Sequence, residues 1–274
     1  VSRLLEHEGI WFYFRQEEDR DLVVFSDAAT GPDAGSVPYR PMRISASAEP
    51  PDWFLPESIR AFSCEQRTLP AEVVLRDYNY RTPSVDLRVT APVSQSGVGM
   101  VYEYGDHYRD EAEGRALARV RAEELLCRER TSSGKADVRS FAAGATFQMV
   151  DHYRPDFNAR YLLTEVRCKA RQALSAGSPM TPIATFESEF VALPEDRVFR
   201  PERRTPKPRI PGMLHARVDA AGDGEYAEID EQGRYKVQLP LDLSGRAGGQ
   251  ASRFVRMAEP YAGAEYGIHF PLHK

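Results

Sequence analysis

Short apolar segments separated by polar turns are the main pattern of this chain. Residues 10–14 (IWFYF) predict a strand, and the charged turn at 16–21 returns it to residues 22–25 (LVVF), which predicts an antiparallel hairpin. Residues 2–9 predict a short helix before it, because Gly9 can take the left-handed conformation that ends many helices. The N-terminal part of the chain therefore predicts a small helix followed by β-structure.

Further strands are predicted where apolar and polar residues alternate or where β-branched residues cluster. These predicted strands are residues 58–66, 71–78, 135–140, 146–151 and 161–170. Residues 29–56 are rich in proline and are predicted to form a loop. The fold class predicted from this pattern is mainly β with some α.

One longer helix is predicted over residues 108–130. Asp110 can cap its first turn, and Glu113 stands three residues later, as in a capping box. Its apolar stripe consists of Leu117, Val120 and Leu125. Arginine and glutamate fill the other faces, which are predicted to be solvated. Residues 131–134 (TSSG) are predicted to be the loop that ends this helix.

The proline-rich run at residues 194–211 is predicted to be a connector between two domains. Its prolines stiffen the chain towards an extended conformation. The run is also basic, and a basic arm could bind nucleic acid. It nearly lacks the interleaved aromatic residues that stack on bases, so the connector interpretation is favoured.

Residues after the connector predict a second β-rich region. Tyr235, Val237 and Leu239 alternate with polar residues, and Pro240 ends the strand because it has no N–H to donate. Further strands are predicted at residues 213–218, 254–258 and 267–270, with a glycine-rich turn at 222–224.

Composition narrows the function classes. A chain of 274 residues is long enough for one large domain or two ordinary ones. Its 36 basic and 41 acidic residues give a net charge of −5, without the basic footprint of a nucleic-acid-binding domain. No apolar run approaches the roughly 20 residues of a membrane-spanning helix.

The chain opens on Val1 and not on Met, and is interpreted as an interior piece of a longer polypeptide. Cys64, Cys127 and Cys168 lack metal-binding spacing and are predicted to be free thiols in a reducing cytosol.

Motifs for catalysis or ligand binding are weak. Residues 222–227 match a loose G-x-G-x-x-A, but strand signals on both sides favour a hairpin over a nucleotide-binding loop. Residues 132–135 match S-x-x-K, without the downstream motifs of a serine acylase. His269 and His273 are separated by Pro271, which argues against a helical metal-binding pair.

The other candidates also favour structural roles. His107 and His152 each follow an aspartate in a predicted turn, and no nucleophile accompanies them. The aromatic residues at 11–14 and Tyr78 and Tyr80 are predicted to fill a barrel core or a subunit interface, with stacking on sugars or bases as the weaker alternative. We therefore predict no catalytic, cofactor-binding or metal-binding residues, and no cofactor.

Several longer segments form a recognisable series when they are taken in order. In the first part of the chain they are RLLEHEGIWFYF (3–14), DYNYRTPSVDL (77–87) and YLLTEVRCKA (161–170). In the second part they are TPKPRIPGM (205–213), DEQGRYKVQLPLD (230–242) and FVRMAEPYAGAEYGIHFPLHK (254–274). The series resembles the VgrG family of type VI secretion spike proteins, which are similar to the hub and spike proteins of contractile-tailed phages.

The resemblance includes departures from the family's pattern. Leu-Pro-Leu-Asp at 239–242 stands where the family usually has F-P-W-D, and Tyr261 and Tyr266 stand where tryptophans are usual. Residues 270–274 (FPLHK) replace the usual I-P-R-V-G. These substitutions keep bulk and β-propensity, so the expected fold is unchanged.

The resemblance implies the domain organisation. Residues 1–193 are expected to form a phage-hub-like region of β-barrels with one long helix. Residues 194–211 are the connector, and residues 212–274 are expected to be the start of an oligonucleotide/oligosaccharide-binding (OB) type barrel that is truncated at its C-terminus.

The resemblance also implies function and partners. It implies a non-enzymatic, homotrimeric spike hub of a contractile injection machine, which adapts a tube to a spike and helps to puncture membranes and deliver effectors. The implied partners are an Hcp-like tube protein, a PAAR-like tip protein, effectors and baseplate proteins, but no nucleic acid. Such a protein is assembled in the bacterial cytoplasm and then secreted or injected. The alternatives are a peptidoglycan or glycan hydrolase module of a tail spike and an OB-type module that binds nucleic acid or glycan.

Overall fold

The computed structural model describes residues 1–28, 31–41, 56–172, 184–209 and 211–258. The chain divides into two compact units, Val1–Lys207 and Pro208–Lys274. The predicted strand at 267–270 and the histidines His269 and His273 lie outside the described residues.

The helices and strands of the described residues fall into two groups, one for each unit. In the first unit they are α1 (Ser2–Glu8), β1 (Trp11–Gln16), β2 (Asp21–Ser26), β3 (Asp33–Pro38), β4 (Ile59–Gln66), β5 (Glu72–Asp77), β6 (Leu87–Pro92), β7 (Met100–Tyr104), α2 (Glu111–Leu126), β8 (Arg130–Ala136), β9 (Thr146–Val150), a 3-10 turn (Pro155–Phe157), β10 (Arg160–Gln172) and β11 (Ala184–Pro194). In the second unit they are β12 (Arg217–Val218) and β13 (Val237–Gln238).

The N-terminal helix and hairpin form as predicted. Gly9 ends α1 with a φ of 71°, and its N–H donates back to the carbonyls of the last helical turn. Strands β1 and β2 then pair antiparallel, from Trp11 opposite Ser26 to Gln16 opposite Asp21. The predicted strands at 58–66, 71–78, 146–151 and 161–170 are confirmed by β4, β5, β9 and β10.

A six-stranded sheet in the order β3-β9-β10-β11-β8-β4 curls into a half-barrel. Its inner face carries the main core, in which the rings of Phe141, Phe147, Tyr161 and Phe190 pack with centroids between 4.9 and 5.8 Å apart. Edge-to-face and tilted aromatic contacts at these distances stabilise a core beyond the area they bury. The fold class, mainly β with some α, is confirmed.

A smaller sheet, in the order β6-β5-β7, covers one side of α2. Val73, Leu75 and Val89 of this sheet pack against Leu117 and Ala118 of the helix. Small residues on α2, which the sequence supplies mainly as alanine, allow the helix and the sheet to approach closely.

The N-terminus of α2 is capped as predicted. The Asp110 carboxylate accepts from the Glu113 N–H at 2.9 Å, and the Glu113 carboxylate accepts from the Arg109 N–H at 2.9 Å. The helix is shorter than predicted, because it ends at Leu126.

Residues 131–134 do not form the predicted loop, because they lie inside β8 between β4 and β11. The Thr-Ser-Ser-Gly sequence has the composition of a turn, but pairing with two neighbouring strands satisfies its backbone groups in the sheet. The strand predicted at 135–140 therefore begins earlier and ends at Ala136.

The predicted loop at 29–56 is wrong for Asp33–Pro38, which forms β3. This strand pairs parallel with β9 and contains an irregularity between Asp33 and Ser36, where Gly35 has a φ of 82°. Such a strand is held by its neighbour's backbone and has little β-propensity of its own, so sequence patterning misses it.

In the second unit, β12 and β13 pair antiparallel, and Tyr235 and Val255 exchange backbone hydrogen bonds of 2.9 and 2.7 Å. Tyr235 is buried, and the Lys236 ammonium lies 4.9 Å from the centre of the Phe254 ring. The strands predicted at 213–218, 235–239 and 254–258 are thus present as shorter pairings, and the OB-type barrel stays a prediction.

Candidate interaction surfaces

An exposed apolar surface covers one face of the N-terminal hairpin. We call Phe12, Phe14, Val23 and Phe25 the hairpin patch. Their exposed fractions are 43%, 58%, 40% and 56%. Phe12 lies opposite Phe25, and Phe14 lies opposite Val23, so all four side chains project from the same face. Contiguous exposed apolar side chains of this kind mark interaction surfaces.

The opposite face of the hairpin holds it in place. Trp11 is 5% exposed, donates from Nε1 to the Ala28 carbonyl at 3.2 Å and packs edge-on against Phe199. Tyr13 lies against Gly144, where a β-carbon would be only 2.7 Å from the tyrosine ring. The sequence prediction of a core or interface role for residues 11–14 therefore divides between the two faces: Trp11 is buried, while Phe12 and Phe14 are exposed.

A second exposed surface lies on β7, an edge strand of the smaller sheet. Met100, Tyr102 and Tyr104 are 62%, 55% and 64% exposed. The alternate residues of this strand, Val101 and Glu103, point towards α2 and the connector. The predicted interface residues Tyr78 and Tyr80 are also exposed.

The first half of the predicted connector packs on the surface of the first unit. We call residues 197–205 the docked connector. Arg197 donates to Glu129 at 2.9 Å, and Arg200 donates to Glu123 at 2.7 Å. Arg197, Arg200 and Arg203 recur at every third residue, and each binds a carboxylate of the first unit.

Arg203 forms the densest set of charge contacts in this region. Its guanidinium donates to both oxygens of Glu103 at 2.6 and 2.9 Å, and to Glu124 at 3.1 Å. The hydrogen bonds from Arg203 lower the pKa of Glu103 despite its partial burial. Bidentate pairs of this kind fix geometry as well as charge.

A buried arginine lies beneath the docked connector. Arg121 is 1% exposed and donates from Nη2 to the carbonyl of His7 at 2.9 Å, with His7 Nδ1 at 3.0 Å. Its Nε lies 3.5 Å from Asp106, and its Nη1 lies 3.5 Å from Glu124, which is also buried. The predicted solvated faces of α2 are therefore wrong at Arg121 and Glu124.

The sequence did contain a signal for the burial of Arg121. It lies four residues after Leu117 and four before Leu125, so helical spacing places it on the apolar stripe. A charge at such a position is stable only when it is paired and hydrogen-bonded, as it is here.

The weak motifs lie in ordinary structural positions. Residues 132–135 lie in a strand, and His107 and Asp151 have left-handed backbone conformations in turns. In the part of the chain that the structure describes, no three His, Cys, Asp or Glu residues are grouped to hold a metal ion. Among the same residues, no helix is both long and apolar enough to cross a membrane.

Comparison with known proteins shows which family the chain resembles. Residues 1–174 match the phage tail baseplate hub (GPD) family. The chain is 28% identical over 276 residues to the type VI secretion system spike protein VgrG1b of Pseudomonas aeruginosa, which covers 97% of this chain and 36% of that protein. It is 29% identical over 276 residues to VgrG1c of the same species, covering 97% of this chain and 37% of that protein.

A solved structure has the same fold. The E. coli c3393 protein, described as a component of the type VI secretion system with similarity to the T4 bacteriophage tail proteins gp27 and gp5, superposes with a TM-score of 0.51 at 22% identity. The match covers 88% of this chain and 48% of that chain. The resemblance to VgrG spike proteins expected from the sequence is confirmed, and this chain spans little more than a third of the two curated relatives.

Proposed function

The chain belongs to the phage tail baseplate hub (GPD) family, and from this we propose that it forms the hub part of a trimeric spike in a contractile injection machine. The match over residues 1–174 carries the proposal. The VgrG relatives support a spike of the type VI secretion kind. We propose that it is assembled in the cytoplasm and then injected. On this proposal, the tube protein, the tip protein, effectors and baseplate proteins bind the complete protein.

We propose that the hairpin patch is the centre of a contact between subunits. Its three phenylalanines are about half exposed, and a phenylalanine buries up to roughly 200 Å², so they offer roughly 300 Å² of apolar surface. A stable interface buries about 800 Å² on each partner. The patch is large enough to be the dry centre of such an interface, with neighbouring polar residues as its rim.

The hairpin is held in a fixed position by its inner face, which favours binding of a second subunit at its outer face. Trp11 and Tyr13 hold its inner face, so the outer face needs little ordering when a second subunit binds. Side chains that are already ordered lose less entropy on association.

We expect substitution of the patch to prevent trimer formation. The full-length protein with Phe12→Ser and Phe25→Ser should be monomeric at a concentration where the parent is a trimer, because the paired rings lose their apolar contact. Light scattering coupled to size-exclusion chromatography measures the mass. Tyr153→Ser, which also changes an exposed aromatic residue and lies outside the predicted interface residues, is the control and should remain trimeric.

The two possible failures of this experiment have different meanings. If the Phe12→Ser/Phe25→Ser variant is still a trimer, the hairpin patch is not part of the subunit interface. A monomeric full-length parent would contradict the trimeric hub itself.

We also propose that residues 1–274 have no hydrolytic activity, in contrast to the alternative of a peptidoglycan hydrolase. Among the described residues, no three His, Cys, Asp or Glu side chains are grouped as metal ligands. We expect the turbidity of a purified peptidoglycan suspension to stay unchanged when the chain is added. Clearing that is abolished by a single Asp or Glu substitution would establish the hydrolase.

A further inference from the structure

We propose that the contact between His7 and Arg121 is a pH-sensitive joint, and that protonation of His7 loosens the docked connector by removing the contacts that α1 makes with it. The joint brings together three segments that are distant in the sequence: α1, α2 and residues 197–205. It therefore controls whether the start of the connector is held against the first unit. The proposal is independent of the trimeric assembly.

The hydrogen-bond geometry requires a neutral His7. The guanidinium of Arg121 can only donate, and its Nη2 lies 3.0 Å from His7 Nδ1, so Nδ1 must accept with its lone pair. The proton of the neutral ring is then on Nε2. A protonated imidazole carries hydrogens on both nitrogens, so protonation removes this hydrogen bond and places two positive charges in contact.

Charged groups from every neighbouring segment face His7. They are Arg121 of α2, Asp106 before α2, Glu103 of β7, Arg203 of the docked connector and Glu8 of α1 itself. The acidic groups favour the protonated ring, but Asp106 and Glu103 already bind the arginines. Burial and then Arg121 dominate, and together they lower the pKa of His7 below its usual value of 6.5.

The sign of the pH effect follows from this lowered pKa. The unfolded or undocked state binds a proton more readily than the docked state does. The contact is therefore fully stable above pH 6.5, and its stability falls as the pH drops through that value towards the native pKa of His7.

Release of α1 removes part of the support of the connector. Glu6 of α1 accepts from the backbone N–H and the hydroxyl of Thr205 at 2.9 and 2.7 Å. The carbonyl of Gly9, just after α1, accepts from Arg200 at 2.9 Å. When the joint between α1 and α2 opens, these contacts cannot all persist. The connector then loses the Glu6 contacts of Thr205 and the Gly9 contact of Arg200, and Arg200 keeps its bond to Glu123.

Cys127 provides a direct measure of release. Its thiol donates to the Val198 carbonyl at 3.2 Å and accepts from the Arg200 N–H at 3.3 Å, so the docked connector covers it. Cys168 is exposed and serves as an internal reference. Modification by a dithiodipyridine, which reacts with thiols in mild acid, is followed for each cysteine by peptide mass spectrometry.

We expect the reaction of Cys127 relative to Cys168 to become several-fold faster as the pH falls below 6.5. His7→Asn retains a side-chain acceptor but cannot titrate, so it should give a flat profile. If the reaction rate of Cys127 in His7→Asn does not depend on pH, whether that rate is slow or fast, His7 is the titrating group. His215→Asn changes an exposed histidine of the other unit and should keep the parental response.

Two results would overturn the proposal. One is a flat profile for the parent protein. The other is a parental acid response in His7→Asn, which would assign the titration to another group, such as the buried His152. Hydrogen exchange separates local release from acid unfolding: protection should fall in residues 1–9 and 197–205 while β9, β10 and β11 stay protected, and uniform loss would contradict a local joint.

Discussion

Replacing Arg203 with alanine should destabilise the first unit by about 3 kcal/mol, because it removes the shortest charge contacts of the buried Glu124 and the partly buried Glu103. Glu124 has a side chain that is only 7% exposed, and Glu103 would lose both bonds of a bidentate pair. Arg121 and Arg128 each lie 3.5 Å from Glu124, and these longer contacts cannot fully compensate for the 3.1 Å bond from Arg203. Denaturant unfolding of the chain measures the loss.

Arg204 offers a matched control at the next position. Its side chain is 72% exposed and pairs with Glu202 on the surface. Arg204→Ala should therefore change the free energy of unfolding by less than about 1 kcal/mol. Equal losses for the two variants would show that Arg203 acts as a surface charge and that the docked connector contributes little stability.

Gly134→Val should lower the free energy of unfolding by about 3 kcal/mol or more, for a steric reason. A β-carbon at this position would lie 2.5 Å from the carbonyl oxygen of Ala61 and 2.5 Å from Cζ of Phe190. The backbone of β4 cannot move away without breaking its pairing with β8. Phe190 is 2% exposed within the aromatic core, so its ring has little space to move.

The neighbouring Ser133→Val is the control for Gly134→Val. Ser133 is exposed on the outer face of the same strand, and valine favours strands. This variant loses a hydroxyl contact with Ser63 and should change stability by less than about 1 kcal/mol. Thermal unfolding that is unaffected by Gly134→Val would mean that β8 does not pack against β4 and Phe190 as described.

Local interactions explain which elements could be predicted from the sequence. The hairpin at β1 and β2 depends on a short polar turn between apolar strands, and the start of α2 depends on the Asp110 cap three residues before Glu113. The order of segments that resemble VgrG proteins led to the correct family. The signals for the hairpin and for the start of α2 lie within a few residues of the structure that they predict.

Long-range pairing explains what the sequence patterns missed. The TSSG segment at 131–134 and the strand Asp33–Pro38 look like turns and become strands only because β4, β9 and β11 supply hydrogen-bond partners. The sequence could not decide whether the aromatic residues of the hairpin lie in the core or at an interface. That depends on which face of the hairpin packs against the rest of the unit.

The sequence by itself determined the β-rich class, the hairpin and the capped helix, because short-range periodicity and turn chemistry suffice for these. The family followed from the resemblance of an ordered series of segments to VgrG proteins. The tertiary structure alone decided that the arginines of the connector bind Glu103, Glu123 and Glu129. A three-residue spacing of arginines can be read from the chain, but their partners are more than 60 residues away. The energy of an ion pair depends on the distance and burial of both charges, which only the fold specifies.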